Sequence, residues 1–281
     1  MAHPESIKYR SEFIRSFNQS VSLLSDRCTD ESISSGRSAV FDVADLGGDL
    51  ATRTVDGRLP RLTSNDSQVT ATLQEYGGTM EITSFEKFTS QSDERSKMNA
   101  KIMARVNRRL DRILLSELDN ASTQYKSGTA QTLTSAVATD IIAELAENEV
   151  EISPNDVTFI ISPKAHHQLL KNASYSSSDY VSAKPFDGNA GQYANERKIK
   201  TWLDVGWMVS PLLTGIGTAT SKMFVFHRRA VGCAKPSEQI MYTAGFDDQH
   251  HYHFCSGTVK AATKILQQGG ILEVIHDDTA A

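Results

Sequence analysis

The residues best suited to chemistry lie near the C-terminus, in Asp247-Asp248-Gln249-His250-His251-Tyr252-His253-Phe254-Cys255. On a strand, His251, His253 and Cys255 would share a face, and imidazole and thiolate are ligands that zinc accepts. A metal-dependent enzyme built on His250, His251 and His253 is therefore one reading to test. Catalytic zinc also needs a general base and an open coordination position, and no motif upstream supplies them. His166-His167 lack the HExxH pattern of metalloproteases, and GxGxxG, GxxxxGK(S/T) and GxSxG do not occur. The three cysteines, Cys28, Cys233 and Cys255, are odd in number, far apart and without CxxC spacing. They predict free thiols in a reducing compartment, with neither a disulfide framework nor a metal knuckle. The expectation is a chain with no catalytic residues, no metal and no cofactor.

Two sets of cations stand out instead. Lys97, Lys101, Arg105, Arg108, Arg109 and Arg112 recur along one segment. They form either a solvated face, partly neutralised by Asp111 and Glu117, or an electropositive strip facing a polyanion. The second set is Arg37, Arg53, Arg58 and Arg61. These side chains suit bidentate hydrogen bonds to carboxylates on a partner.

The elements that hold these sets differ in period. From 92 to 120 the apolar residues Met98, Ile102, Val106, Leu110, Ile113, Leu114 and Leu118 make a helical stripe without Gly or Pro. About 28 helical residues would span about 42 Å. Between 36 and 84 the pattern is strand-like. Ala39, Phe41 and Val43 alternate with polar neighbours, and Val69, Ala71 and Leu73 do the same on the way back, with Met80 and Ile82 continuing. The return arm from 68 to 84 would extend roughly 55 Å at about 3.3 Å per residue. A hairpin of that length with a polar tip (45–66) cannot bury both faces on its own domain, so it reads as a projecting arm that needs a partner surface.

The remainder is a polar lead (1–35) in which Phe13, Phe17, Val21 and Leu24 predict one short amphipathic helix. A helix around Val137, Ile141, Ile142 and Leu145 and a buried strand Val157–Ile161 come next. Ser162-Pro163 is then an N-cap and first-turn proline opening a helix over 164–171. A loop (172–200), apolar strands at 202–213 and 222–227, and strands at 252–264 and 271–275 complete the order, with Gly269-Gly270 as the hairpin turn between the last two. The 281 residues are 39% hydrophobic and 22% charged, enough for a real core, and the net charge of −5 argues against a protein held to nucleic acid by its overall field. The start shows no secretory pattern and no apolar run is long enough to span a bilayer, so a soluble intracellular product with no membrane partner is expected.

Several stretches together resemble the major capsid proteins of tailed bacteriophages. They are Phe17-Asn-Gln-Ser-Val-Ser-Leu-Leu24, Gly36-Arg-Ser-Ala-Val-Phe-Asp42, Arg108-Arg-Leu-Asp-Arg-Ile113, the 157–170 strand and helix, Trp202-Leu-Asp-Val-Gly-Trp-Met-Val-Ser210 and Gly270-Ile-Leu-Glu-Val-Ile275. The resemblance implies an α+β chain with the Hong Kong 97-type fold. It would comprise an N-terminal arm (1–35), an extended β-hairpin loop (36–84), a peripheral domain with a long spine helix (85–125) and returning strands (246–281), and an axial domain (126–245). It implies a structural protein of the virion, assembled in the host cytoplasm into pentamers and hexamers of an icosahedral shell around double-stranded DNA. Implied partners are further copies of the chain, a portal protein, a decoration protein and a separate scaffolding protein, since 35 leading residues are too few for a fused scaffold. Arg37, Phe41, Arg53, Arg58 and Arg61 would then touch a neighbouring subunit, and Lys101, Arg105, Arg108 and Arg112 would face the lumen. An encapsulin-like compartment shares this fold and is the nearest alternative.

Some members of that family join a lysine on the extended loop to a neighbour's asparagine. The segment 36–84 holds neither lysine nor cysteine. Arginine, effectively always protonated, cannot supply the attacking amine. Boiled, reduced particles should therefore run in a denaturing gel as one band near 30.9 kDa. A ladder of covalent oligomers surviving reduction would contradict this.

Overall fold

The computed structural model describes residues 22–33, 36–44, 50, 52–53, 55–57, 59, 61, 66–89, 94–172, 175, 200–236 and 239–279. The predicted helix around Phe13, Phe17 and Val21 and nearly all of the 172–200 loop lie outside them.

Two elements organise the rest. Strand β11 (Tyr252–Ile265) alternates buried Cys255, Gly257, Val259 and Ala261 with less buried Ser256, Thr258 and Lys260, the period of a half-covered strand. Helix α2 (Glu94–Leu118) supplies the cover, burying Met98, Ile102 and Val106 against Cys255 and Val259. The two approach so closely that a Cβ on Gly257 would stand 2.3 Å from the Ile102 Cγ2. Only glycine fits there. Five-residue β1 (Thr29–Ile33), β9 (Val231–Pro236), β10 (Ile240–Asp247) and β4 (Gln74–Thr83) complete this sheet. β10 and β4 pair antiparallel with opposite edges of β11, β9 pairs with its last residues, and β1 runs parallel to β9.

The second sheet has the order β12-β8-β5-β7-β6 (Ile271–His276, Ser221–His227, Val157–Ile161, Val205–Val209, Lys200–Trp202). Central β5, Val-Thr-Phe-Ile-Ile, is buried at every position, as a strand covered on both faces must be. Its core takes in α3 (Ser135–Glu147), α4 (Pro163–Leu170) and Leu114, Leu115 and Leu118 from the end of α2. Phe159, Trp202, Trp207 and Tyr175 stack within it, with Phe159 and Trp207 centroids 4.5 Å apart. Burial there pushes the Tyr175 hydroxyl up to about 12. Ser162 caps α4 by accepting from the Ala165 N–H at 3.0 Å, with Pro163 in the first turn as the sequence predicts. None of the described helices is long and apolar enough to cross a membrane.

Five expectations change. The lead contains a strand, β1, because its backbone completes the free edge of β9. The long return arm is broken at Leu73, whose N–H donates to the Arg37 carbonyl at 2.8 Å and closes a short hairpin of β2 (Ser38–Val43) and β3 (Ser67–Thr72). β4 then leaves the hairpin for β11, and a capping box follows. Thr83 N–H donates to the Glu86 carboxylate at 3.0 Å and the Glu86 N–H to the Thr83 hydroxyl at 3.2 Å, opening α1 (Ser84–Thr89). Gly269-Gly270 do not turn a hairpin. β12 crosses to the second sheet and pairs with β8, while β9 and β10, expected in the axial domain, belong with β11. Finally, Cys28 and Cys233 are joined by a disulfide, with Cα atoms 6.0 Å apart, whereas Cys255 is a buried thiol outside it. Sequence distance concealed a pair that the β1–β9 ladder brings together.

The crossing of β12 is secured by buried charge. Glu273 accepts from the Lys222 ammonium at 3.0 Å and from the Gln124 amide at 3.0 Å. Beyond it, the buried Asp278 carboxylate meets His276 Nδ1 at 2.7 Å and accepts from the Ser162 hydroxyl at 2.7 Å and the Gly217 N–H at 2.9 Å. Burial alone would raise the Asp278 carboxyl, but the Gly217 N–H, the Ser162 hydroxyl and His276 outweigh it and hold the group below its ordinary value. A carboxyl depressed in the folded chain stabilises it above its unfolded value, about pH 4, and that contribution is lost as pH falls through the folded value. Asp278→Asn should cost about 1–3 kcal/mol at neutral pH and flatten the loss of stability below pH 4, measured by urea unfolding across pH. Identical pH profiles for the two proteins would contradict this.

Candidate assembly and nucleic-acid surfaces

The basic residues of α2 sort by their angle around the helix. With Ile102 turned to the sheet, Lys101, Arg105, Arg108 and Arg112 fall on one flank, about 16 Å long at 1.5 Å per residue. Lys101, Arg105 and Arg112 are exposed and Arg108 is half-buried. No ion pair among the described residues engages any of the four. Among the described residues the buried Arg108 Nε has no hydrogen-bond partner, nor has that of Arg109. Arg109 points its guanidinium over the Tyr76 ring, 3.9 Å from the centroid. Arg105 and Arg109 line the rim of an apolar groove of about 360 Å³ between α2 and strands β4 and β11, walled by Tyr76, Met80, Val106 and Val259. Such a row offers charge without base-reading geometry and suits a polyanionic backbone of any sequence.

Asp111, expected to neutralise this face, does something else. It is buried, and its carboxylate accepts from the N–H groups of Leu23, at 2.9 Å, and Leu24, at 3.1 Å, and from the Ser22 hydroxyl. The acid therefore fastens the root of the N-terminal arm, and among the described residues it makes no ion pair with Lys101, Arg105, Arg108 or Arg112. Lys264 rather than an α2 cation takes the Glu117 carboxylate, at 2.9 Å.

The extended loop divides similarly into anchor and free part. Phe41, expected at a subunit contact, is 6% exposed and buried on its own chain. Its ring sits where a Cβ on Gly232 would be, 2.8 Å away, and it packs with Ala39, Ala71, Ala234 and Ala262. An aromatic ring at the base of a thin hairpin has no other way to leave water. Arg37, Arg53 and Arg61 are exposed, and Arg58 lies outside the described residues. What sequence reasoning missed is the apolar content of the tip: Leu50, Val55 and Leu59 are 87%, 106% and 71% exposed. Polar neighbours mask them in a composition reading. Met241, Tyr242 and Phe246 on β10, whose outer edge is unpaired among the described strands, add a second exposed apolar stretch.

The histidine cluster does not converge. His250 and His251 lie in the turn before β11, where His250 Nδ1 meets the Asp247 carboxylate at 3.2 Å and helps hold that acid below its ordinary value. His253 stacks on Phe246, with centroids 4.7 Å apart, and Cys255 turns inward to the Asn99 side chain at 2.6 Å. Among the described residues the ligand-like grouping is Cys28, Asp30 and Cys233, two of which share the disulfide.

A two-sheet body crossed by a long helix, with a hairpin and apolar side chains left for neighbours, defines a structural protein built to associate. Residues 5–278 match the family model for phage capsid protein, and the chain belongs to that family. The fold is the Hong Kong 97-type capsid fold. The chain is similar to the capsid protein in the cyanophage P-SCSP1u structure, with 17% identity, a TM-score of 0.70 and coverage of 96% of this chain and 92% of that one. It is similar also to a Mycobacterium phage Che8 chain (11% identity, TM-score 0.71, 100% of each chain) and to the mature capsid of bacteriophage PhiM1 (13%, 0.69, 98% of this chain and 92% of that one). No curated protein matches it in sequence. The chain is a major capsid protein, forming the shell of a virion.

Proposed function

We propose that this capsid protein assembles in the host cytoplasm into pentamers and hexamers of an icosahedral shell that encloses double-stranded DNA. Each subunit lays its extended loop on a neighbour, and repeated heterologous contacts of this kind close the shell. The observation that carries the reading is the loop itself. Its base is pinned by Phe41, while Leu50, Val55 and Leu59 stand in solvent beyond any core of their own chain. Burying three such side chains on a neighbour favours association by about 1.5–3 kcal/mol each before ordering costs. Arg37, Arg53, Arg58 and Arg61 complete that contact through a neighbour's carboxylates. A separate scaffolding protein guides assembly, a portal protein occupies one site in the shell, and a decoration protein adds to the outer surface.

The flank Lys101, Arg105, Arg108 and Arg112 faces the lumen and tempers the repulsion between an acidic protein and packed DNA. A row of cations that makes no ion pair among the described residues favours nucleic acid over the protein cargo of an encapsulin-like compartment. Arg105→Glu with Arg112→Glu should lower DNA retention several-fold, with the difference narrowing at higher salt, while shell yield changes little. If neither DNA retention nor shell yield changes, the lumen assignment is wrong.

Deleting residues 51–61 should leave a folded, soluble subunit that forms few closed shells, counted by electron microscopy. A normal shell yield would refute the role of the loop.

A further inference from the structure

We propose that Cys28 and Cys233 are a thiol–disulfide site that clasps the root of the N-terminal arm once the particle leaves the reducing host cytoplasm. The inference rests on the assembly compartment given under Proposed function. The pair occupies a prepared position. In the β1–β9 ladder Asp30 lies opposite Cys233, so Cys28 enters diagonally with its Cα 6.0 Å from that of Cys233. That separation lies within the range a disulfide requires. Contacts independent of the sulfurs hold it. The Lys235 ammonium donates to the Ser25 carbonyl at 2.7 Å and to the Asp30 carboxylate at 2.8 Å, and the Arg228 Nε donates to the Cys28 carbonyl at 3.1 Å. Asp111 fastens Leu23 and Leu24 just upstream. The reduced chain thus keeps its two thiols face to face.

Cys28 is 0% and Cys233 7% exposed, so an oxidant reaches them only when the segment from Ser22 to Ile33 lifts. The co-reactant is a low-molecular-weight disulfide. One cysteine thiolate attacks it, forming a mixed disulfide and releasing one small thiol. The second thiolate attacks the cysteine sulfur of that mixed disulfide and releases the other. The pair loses two electrons, and its two protons leave on the two small thiols. The new bond spans a sequence separation of 205 residues and makes the root of the arm permanent, since β1 can no longer peel from β9. In the cytoplasm the same joint stays reversible, as a subunit correcting its placement during assembly requires.

The test counts thiols on the purified chain. Cells lysed into iodoacetamide should yield protein carrying three alkylated cysteines after denaturation. The native protein treated first with oxidised glutathione should carry one, at Cys255. Cys255→Ser should then carry none, and Cys28→Ser should leave Cys233 unlinked to any other cysteine of the chain. Amide exchange of Thr29–Ile33 should slow by at least about tenfold on oxidation of the native chain, and remain unchanged in Cys28→Ser. Three alkylated cysteines after the oxidant would overturn the proposal. So would unchanged exchange of β1, or zinc held stoichiometrically by Cys28, Asp30 and Cys233. Because both cysteines lie in one chain, a failure to form shells leaves this result readable, and the reverse holds too.

Discussion

The contact between α2 and β11 is the constraint from which the rest of the subunit follows. A 25-residue helix lies on a 14-residue strand, and the two meet where Gly257 admits Ile102. Both elements are longer than one sheet needs. The excess of α2 carries Leu114, Leu115 and Leu118 into the second core, and the excess of β11 carries the ladder on to β9. The same crossing decides what faces outward. With Met98, Ile102 and Val106 committed to the sheet, Lys101, Arg105 and Arg112 have nowhere to go but solvent. The β4 edge of β11 leads back to the extended loop, and the β9 end leads to the root of the arm.

Much of this is legible in residue patterns because local physics dominates it. The four-residue apolar spacing of α2, the uniformly apolar β5 and the Ser162-Pro163 start of α4 each reflect one element meeting one surface. What could not be read depends on pairing between distant segments. β1 carries little apolar signal, since Thr29–Ile33 is held by backbone bonding to β9 more than by side-chain burial. The alternation of 68–84 runs smoothly through Leu73, so nothing in it marks where the strand changes partner. Cys28 and Cys233 are remote in sequence and adjacent only because β1 and β9 pair. Gly269-Gly270 resemble a hairpin turn, yet Gly270 is there for its close approach to Ala230, and the charges around Glu273 hold β12 in the other sheet.

The candidate surfaces were legible to a similar degree. Residue type marked Lys101, Arg105 and Arg112 as exposed cations of α2 but misjudged the role of Asp111, whose carboxylate accepts from the backbone of Leu23 and Leu24. In the loop, the arginines drew the eye while the ring of Phe41 and the apolar tip residues divided the work of anchoring and reaching. A subunit of this kind is an incomplete object. Its exposed Leu50, Val55 and Leu59 and a β10 edge unpaired among the described strands would be liabilities in a monomer, and they are consistent with a chain whose stable state is a shell. Individual contacts can stay weak because each is repeated around a closed surface.

The central claim is that this chain, through surfaces left unsatisfied in one copy, builds a closed shell. Electron microscopy of the purified protein tests it most directly. The account predicts closed shells, or the rings and tubes that the same contacts make when closure is imperfect. A dispersed population of single 30.9 kDa subunits at all concentrations, with the fold intact, would contradict it.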